Sequence, residues 1–274
     1  MPMGKPSFRF AIVLALCAGF CHSQSSGQKK HVLFIGEEKG YRHEAVSHAM
    51  ATLERLGNET GIWDSTLRTD TEPLTKKKLE YNAKNLASFD AVIFFTGGEL
   101  EMDAQQKADL LSAIRDDGKG FIGIHSAAIT FADWPEYREM LGGFYDEHPW
   151  ETFNAPIVVE DSSFPGMGQW PASFNIRDEI YQMKDYSREK VRVLMRLDPS
   201  QIDLANKNVH RKDRDFAVTW VKTYGKGRVY YTSLGHVQEN WDRPEFQKML
   251  IEALKWVTGI SSADVTPRAM AKVR

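Results

Sequence analysis

GFIGIHSAA, residues 120–128, decides how this chain is read. Five apolar or small residues form a short, fully buried strand, and the run then breaks at His125 into small residues that suit a tight helical turn. Three further stretches repeat the plan. HVLFIG (31–36) leads through EEKGYRH to His43, and ASFDAVIFFTGG (87–98) closes on Gly97 and Gly98. GRVYYTSLG (227–235) delivers His236. Between these runs lie helical patterns. HEAVSHAMATLERLG (43–57) places Ala45, Ala49, Leu53 and Leu56 on one face. MDAQQKADLLSAIRDDGKG (102–120) offers Asp103 as an N-cap and Gly118 near its end. Strands alternating with helices predict a doubly wound, mostly parallel α/β sheet with helices on both faces.

The remaining segments are assigned by the same rules. IWDST (62–66) is a second strand, and TKKKLEYNAKNLAS (75–88) is a polar surface helix and loop. Residues 134–190, rich in Pro, Trp, Phe and Asp, are expected to elaborate the active edge, with FNAPIVVE (153–160) and SFNIRDEIYQM (173–183) as strands. VRVLMRL (191–197), FAVTWVKTYG (216–225) and GRVYYTSLG complete the strands, the last two as a hairpin. PEFQKMLIEALKWVTG (244–259) is the closing amphipathic helix, with Pro244 in its first turn. Residues 260–274 lack periodicity and are expected to be a flexible tail.

The first 23 residues read as a secretory signal peptide. Lys5 and Arg9 precede the apolar run FAIVLALCAGF, and small residues Cys21 and Ser23 stand before Gln24. The run is too short for a stable membrane span. Phe20 before Cys21 and Leu16 before Cys17 do not suit a lipoprotein box. Residues 24–30 are a linker, and 31–259 form one domain. Both cysteines fall inside the signal, so the mature chain has no thiol nucleophile, thiolate metal site or disulfide. Its expected place is the periplasm or outside the cell. Removing Lys5 and Arg9 leaves 33 basic against 37 acidic residues, a balance that does not suggest a nucleic-acid binder. No membrane association is expected once the signal is cut.

In an open α/β sheet, ligands bind beyond the carboxyl ends of the strands. His43, His125 and His236 all stand there. Their side chains are expected to face one pocket, within about 10 Å of each other on the scale of ligand pockets. His31 and His48 are expected outside it. Ser126 is a poor nucleophile candidate, because G-x-S-x-G would need glycine at Ile124 and Ala128. Gly97 and Gly98 could aim backbone N–H groups at a developing anion. Strand alternation puts Glu179 and Tyr181 on one face and Asp178 on the other. Of the tryptophans, which include Trp134, Trp170 and Trp241, Trp150 and Trp220 are favoured as pocket residues. No HExxH motif or close His spacing names a metal site, so no metal ligand is assigned. Three histidines, or two with a carboxylate, could nonetheless form a zinc-type site assembled from separate loops.

The late strand end SLGHVQE completes a resemblance. Class I glutamine-amidotransferase-like (flavodoxin-like) folds put a nucleophile on the elbow after the corresponding strand, which here holds His125. They put a histidine where His236 stands, and a glutamate two residues on, which here is Gln238. The chain is thus not read as a glutaminase. GYRHEA, FFTGGEL, GFIGIHSAA, LGGFYDEHP, DEIYQM and YGKGRVYYTSLGHVQENW together resemble the ThuA-like, trehalose-utilisation family. That resemblance covers residues 31–259. It implies an amidotransferase-like three-layer sandwich, a link to sugar metabolism, and motif positions at Arg42, His43, His125, His148, Glu179 and His236. The leading expectation is an exported enzyme acting on a carbohydrate or keto-sugar. His125, His236 and Glu179 are its catalytic acid/base groups, and Arg42, His43, Gly97, Gly98, His148, Trp150, Tyr181 and Trp220 bind substrate. A cofactor is not identified from sequence. The alternatives are a non-catalytic sugar-binding module and a metal-dependent hydrolase.

Overall fold

The computed structural model describes Met1 and residues 28–270. The signal-peptide reading falls outside the described residues. Fifteen of the elements matter here. In chain order they are β1 (Lys30–Ile35), α1 (Ala45–Thr60), β2 (Trp63–Arg68), β3 (Ala91–Phe94), α2 (Ala104–Arg115), β4 (Gly120–Ile124), α3 (Pro135–Leu141), β5 (Phe144–Glu147), β6 (Thr152–Val159), β7 (Ser173–Glu179), β8 (Gln182–Lys184), β9 (Arg192–Leu197), β10 (Ala217–Tyr224), β11 (Gly227–Thr232) and α4 (Pro244–Val257).

Nine strands form one sheet in the order β2-β1-β3-β4-β11-β10-β9-β6-β7. The β2-to-β11 half is parallel, and β10, β9, β6 and β7 add on antiparallel. Alternation along β1 builds both faces of the sheet. Val32 and Phe34 pack with Ala45, Leu53, Phe246 and Leu250 of α1 and α4. Leu33 and Ile35 pack with Leu110, Ile114, Tyr137 and Met140 of α2 and α3. The result is the doubly wound, mostly parallel three-layer sandwich that the strand and helix pattern predicts. From β1 the chain runs first to β2 on one side and then to β3 on the other. The order thus reverses at β1, where open sheets of this kind leave a crevice.

Local signals act as expected in several elements. The Asp103 side chain accepts the Gln106 N–H, and the Gln106 side chain accepts the Asp103 N–H, a reciprocal cap that starts α2. Helix α1 runs past Gly57 to end on Gly61 in the left-handed conformation. Other expectations are corrected. Residues 75–88 form no α-helix; the stretch is irregular apart from a short turn at Leu86–Ser88. Its few apolar residues cannot build a helical face, and Asp109 instead accepts the Thr75 hydroxyl and the Lys76 N–H. The middle region does not merely cover the active edge: β6 and β7 lengthen the main sheet, while β5 and β8 form a separate two-stranded sheet. The tail is docked through at least Thr266. Ala263 and Val265 pack on the core, and the buried Arg192 guanidinium donates to the Thr266 carbonyl.

Candidate functional site

The carboxyl ends of β1, β4 and β11 converge with the end of β7. The loop after β1 supplies Glu38 and His43, β4 runs directly into His125, the loop after β11 supplies His236, and β7 ends at Glu179. The three imidazoles meet as a triangle, with ring centroids 4.9 Å (His43–His125), 5.1 Å (His43–His236) and 5.1 Å (His125–His236) apart. His31 pairs loosely with Asp64 and His48 pairs with Asp242, both away from this triangle. Glu179 approaches from the open side, its Oε2 3.4 Å from His125 Nε2 and 3.6 Å from His236 Nδ1.

Hydrogen bonds set the tautomers. His125 is fully buried, and its Nδ1 lies 2.7 Å from the Ser233 carbonyl oxygen. A carbonyl only accepts, so Nδ1 carries the proton and Nε2 presents a lone pair. That Nε2 accepts the Tyr181 hydroxyl at 2.8 Å and stands 3.2 Å from His236 Nδ1. His43 Nδ1 pairs with the Glu38 carboxylate, which leaves Nε2 as its free nitrogen. Glu38 is itself held, accepting the His43 N–H at 2.6 Å and the Ser126 hydroxyl at 3.0 Å. Burial pushes the His125 pKa down to about 4. Burial also lowers that of His236. For Glu179 burial acts upward, but the surrounding imidazoles outweigh it and hold the carboxyl below its ordinary value.

Asp178, one residue from Glu179 and on the opposite face, anchors the loop that carries His236. Its carboxylate accepts the N–H groups of Gly235 and Val237 and the Asn240 side-chain amide. Burial raises its pKa to about 7 against those donors. Glu179 and Tyr181 share the site face, as strand alternation requires.

Above the cluster lies a cavity of about 410 Å³ lined by Tyr41, His43, Ile129, Tyr145, His148, Glu151, Thr152, Glu179, Tyr181 and His236. His148 sits on its wall, with Nδ1 3.4 Å from Glu151 and 3.9 Å from Glu179. Glu38, Tyr41, Tyr145 and Glu151 were not singled out from sequence. Glu38 and Tyr41 stand in the same strand-end segment as His43, so the strand-end rule already reached them. Tyr145 and Glu151 flank His148, and nothing in their spacing marks them.

Several expectations do not survive the geometry. The Gly97 N–H donates to the Glu37 carbonyl and the Gly98 N–H to the Ile129 carbonyl, so neither faces the cavity as an anion donor. Trp220 is buried inside β10, donating to the Leu141 carbonyl and packing on Tyr231. Trp150 turns away against Phe153 and Phe216, and its indole N–H donates to the Asp203 carbonyl. Arg42 is exposed and borders an adjoining groove with Arg177 and Glu239, which touches the cavity only through Tyr41, His43, Thr152 and His236. Ser126 is fully buried, donates to Glu38 and does not line the cavity, so its hydroxyl does not reach a substrate there.

Two sets of side chains among the described residues could hold a metal ion. His43, His125, Glu179 and His236 are the first, and His148, Glu151 and Glu179 the second.

Several solved structures share this fold. A ThuA-like protein from Bacteroides uniformis is 21% identical, with a TM-score of 0.67 over 84% of this chain and 93% of that one. A second, from Parabacteroides merdae, is 15% identical, with a TM-score of 0.64 over 88% and 93%. A β-galactosidase from Bacillus circulans is 14% identical with a TM-score of 0.53, and 32% of its length is matched. At these identities the likeness shows the fold alone. No curated protein matches the chain. The family model for ThuA, trehalose utilisation, matches residues 31–257 and so spans every strand end that builds the site. With that match, the chain belongs to the ThuA family.

Proposed function

We propose that this protein is an enzyme that transforms a small carbohydrate or an oxidised sugar derivative, with the floor of the histidine cavity as its reacting centre. One observation carries the reading. Donor atoms of three imidazoles and one carboxylate, drawn from four separate strand ends, lie within 4.8 Å of one another at the base of a concave pocket. A module that only binds sugar needs aromatic faces and hydrogen bonds, not a convergent set of groups that exchange protons or bind ions. The walls supply the binding part: Tyr41 and Tyr145 offer aromatic surface suited to the apolar faces of a sugar ring. The family's description, trehalose utilisation, supports the substrate class.

Two reactions suit the floor, hydrolysis and proton abstraction beside the carbonyl of a keto-sugar. Both build negative charge on a substrate oxygen and both move a proton near neutral pH. His125 is not the acid in either, because its burial keeps it neutral; it acts through its unprotonated Nε2, which accepts the Tyr181 hydroxyl, and through its position. The charged N-terminal segment, apolar run and small residues before Gln24 support an exported enzyme.

A panel of disaccharides and their keto derivatives tests the proposal. The wild type should convert at least one of them, and Glu179→Gln should lose on the order of 10² to 10⁴ in rate while staying folded. Sugar affinity by calorimetry with no turnover across the panel would return the protein to the class of binding modules.

A further inference from the structure

We infer that His43, His125, His236 and Glu179 form a binding site for one divalent transition-metal ion of the zinc type. The inference deepens the proposed function by giving that reacting centre a cofactor, and it rests on four independent features.

The first is spacing. In a tetrahedral zinc site with bonds near 2.0–2.2 Å, neighbouring donors stand about 3.3–3.6 Å apart. Three separations here are 3.2 Å (His125 Nε2 to His236 Nδ1), 3.4 Å (His125 Nε2 to Glu179 Oε2) and 3.6 Å (His236 Nδ1 to Glu179 Oε2). They make one face of such a polyhedron. His43 completes a set whose members all lie within 4.8 Å.

The second feature is the outer ring of hydrogen bonds. Metal-binding histidines usually give their other ring N–H to a carboxylate or backbone carbonyl, which fixes tautomer and aim. His43 does so to Glu38, and His125 does so to the Ser233 carbonyl. Glu38 in turn is braced by Ser126.

Charge is the third. Glu38 and Glu179 are both largely buried, and their only ion-pair partners among the described residues are imidazoles. The cavity lining contains neither lysine nor arginine. Buried carboxylates without a fixed cation are costly. A divalent ion supplies the missing positive charge without protonating the imidazoles.

Backbone strain is the fourth. His125 has φ +44°, in the left-handed region that non-glycine residues uncommonly adopt. Strain of this kind persists where the surroundings demand it, commonly at binding centres. Here it turns the ring out of the line of β4 and into the cluster.

The donor set of nitrogens with one oxygen suits zinc and its neighbours better than calcium or magnesium, which prefer oxygen alone. When bound, such an ion polarises a sugar carbonyl or hydroxyl as a Lewis acid. His148 and Glu151 stay beside the site as groups of the chain that can move protons.

The test uses the full chain, stripped with chelator and checked for folding by circular dichroism, with zinc alone as the probe. Calorimetry should show tight binding of about one equivalent of zinc per chain, with a rise in thermal midpoint by mass action. His236→Ala should stay folded and lose both the binding and the rise. Glu38→Gln should keep the site but weaken it about 10- to 100-fold, the usual effect of an outer-ring partner. His31→Ala and His48→Ala, far from the cluster, should bind as wild type. A folded wild type that binds no zinc, or a His236→Ala that binds as wild type, overturns the inference. Sugar turnover by fully metal-free protein would overturn it while leaving the enzyme proposal standing. Zinc binding without any sugar turnover would support the site and count only against the proposed function.

Discussion

His125 is the residue on which most of the site depends, and its environment has a thermodynamic signature. Its pKa is displaced from an ordinary 6.5 to about 4 by burial. Between those values the unfolded chain binds a proton that the folded chain refuses. This contribution to stability is therefore fully present above about pH 6.5 and is lost as the pH falls toward 4. It amounts to on the order of 3 kcal/mol at most, at about 1.4 kcal/mol per unit. His236, also lowered, acts in the same direction, while Glu179 faces both rings. Thermal melts of metal-free protein should show the midpoint dropping through this window. His125→Gln should flatten the drop. If the variant melts with the same pH dependence as wild type, the acid sensitivity belongs to other groups.

The loop between β1 and α1 shows the same logic for an element. It carries Glu38, Tyr41 and His43, and it is pinned where Gly98 passes beneath it. Gly98 has φ +78°, and a Cβ there would lie 2.0 Å from the Lys39 carbonyl oxygen. Gly98→Ala must both strain its own backbone and push this loop away. It should cost roughly 1–3 kcal/mol in a thermal or denaturant melt and lower activity together with stability. An alanine variant with wild-type stability and rate would show that the loop is free to move. The glycine pair was legible in FFTGGEL, but its purpose was not: a strand-ending GG reads the same whether it aims N–H groups at a ligand or lets two loops cross. Strand ends are easier. A run of apolar residues stops at a fixed place, so His43, His125 and His236 could be assigned to one side of the sheet before their distances were known. Trp220 shows the limit, because alternation along β10 does not say which face meets a cavity and which meets α3. The polar stretch 75–88 departs from its helical pattern for a different reason. Its lysines favour helix by propensity, but without an apolar face no tertiary packing supports one.

For the whole molecule, the largest departure from the sequence reading lies at its C-terminal end. Residues after Gly259 lack any periodic pattern, yet they cover a buried charge. Arg192 pairs with Asp161 at 2.6 Å and donates to the Thr266 carbonyl at 2.9 Å. A chain ending at Gly259 should be less stable by roughly 1–3 kcal/mol, since a buried donor loses its acceptor and the apolar contacts of Ala263 and Val265 go with it. Denaturant unfolding of the shortened and full chains would measure this, and equal midpoints would return residues 260–274 to the status of a free tail. At the other end, mass spectrometry of protein from its own cells should find a chain starting near Gln24. A mature pool that begins at Met1 would argue against export.

The donors of the cavity floor are spread along the chain from His43 to His236. No contiguous fragment holds even a crude version of the site. Contacts so distant in sequence form late, because loop closure must precede them. The last of them waits for β11, near the end of synthesis. A chain that stops before the end of β11 lacks His236, and with it the complete donor set, so the site exists only once nearly the whole domain has been made.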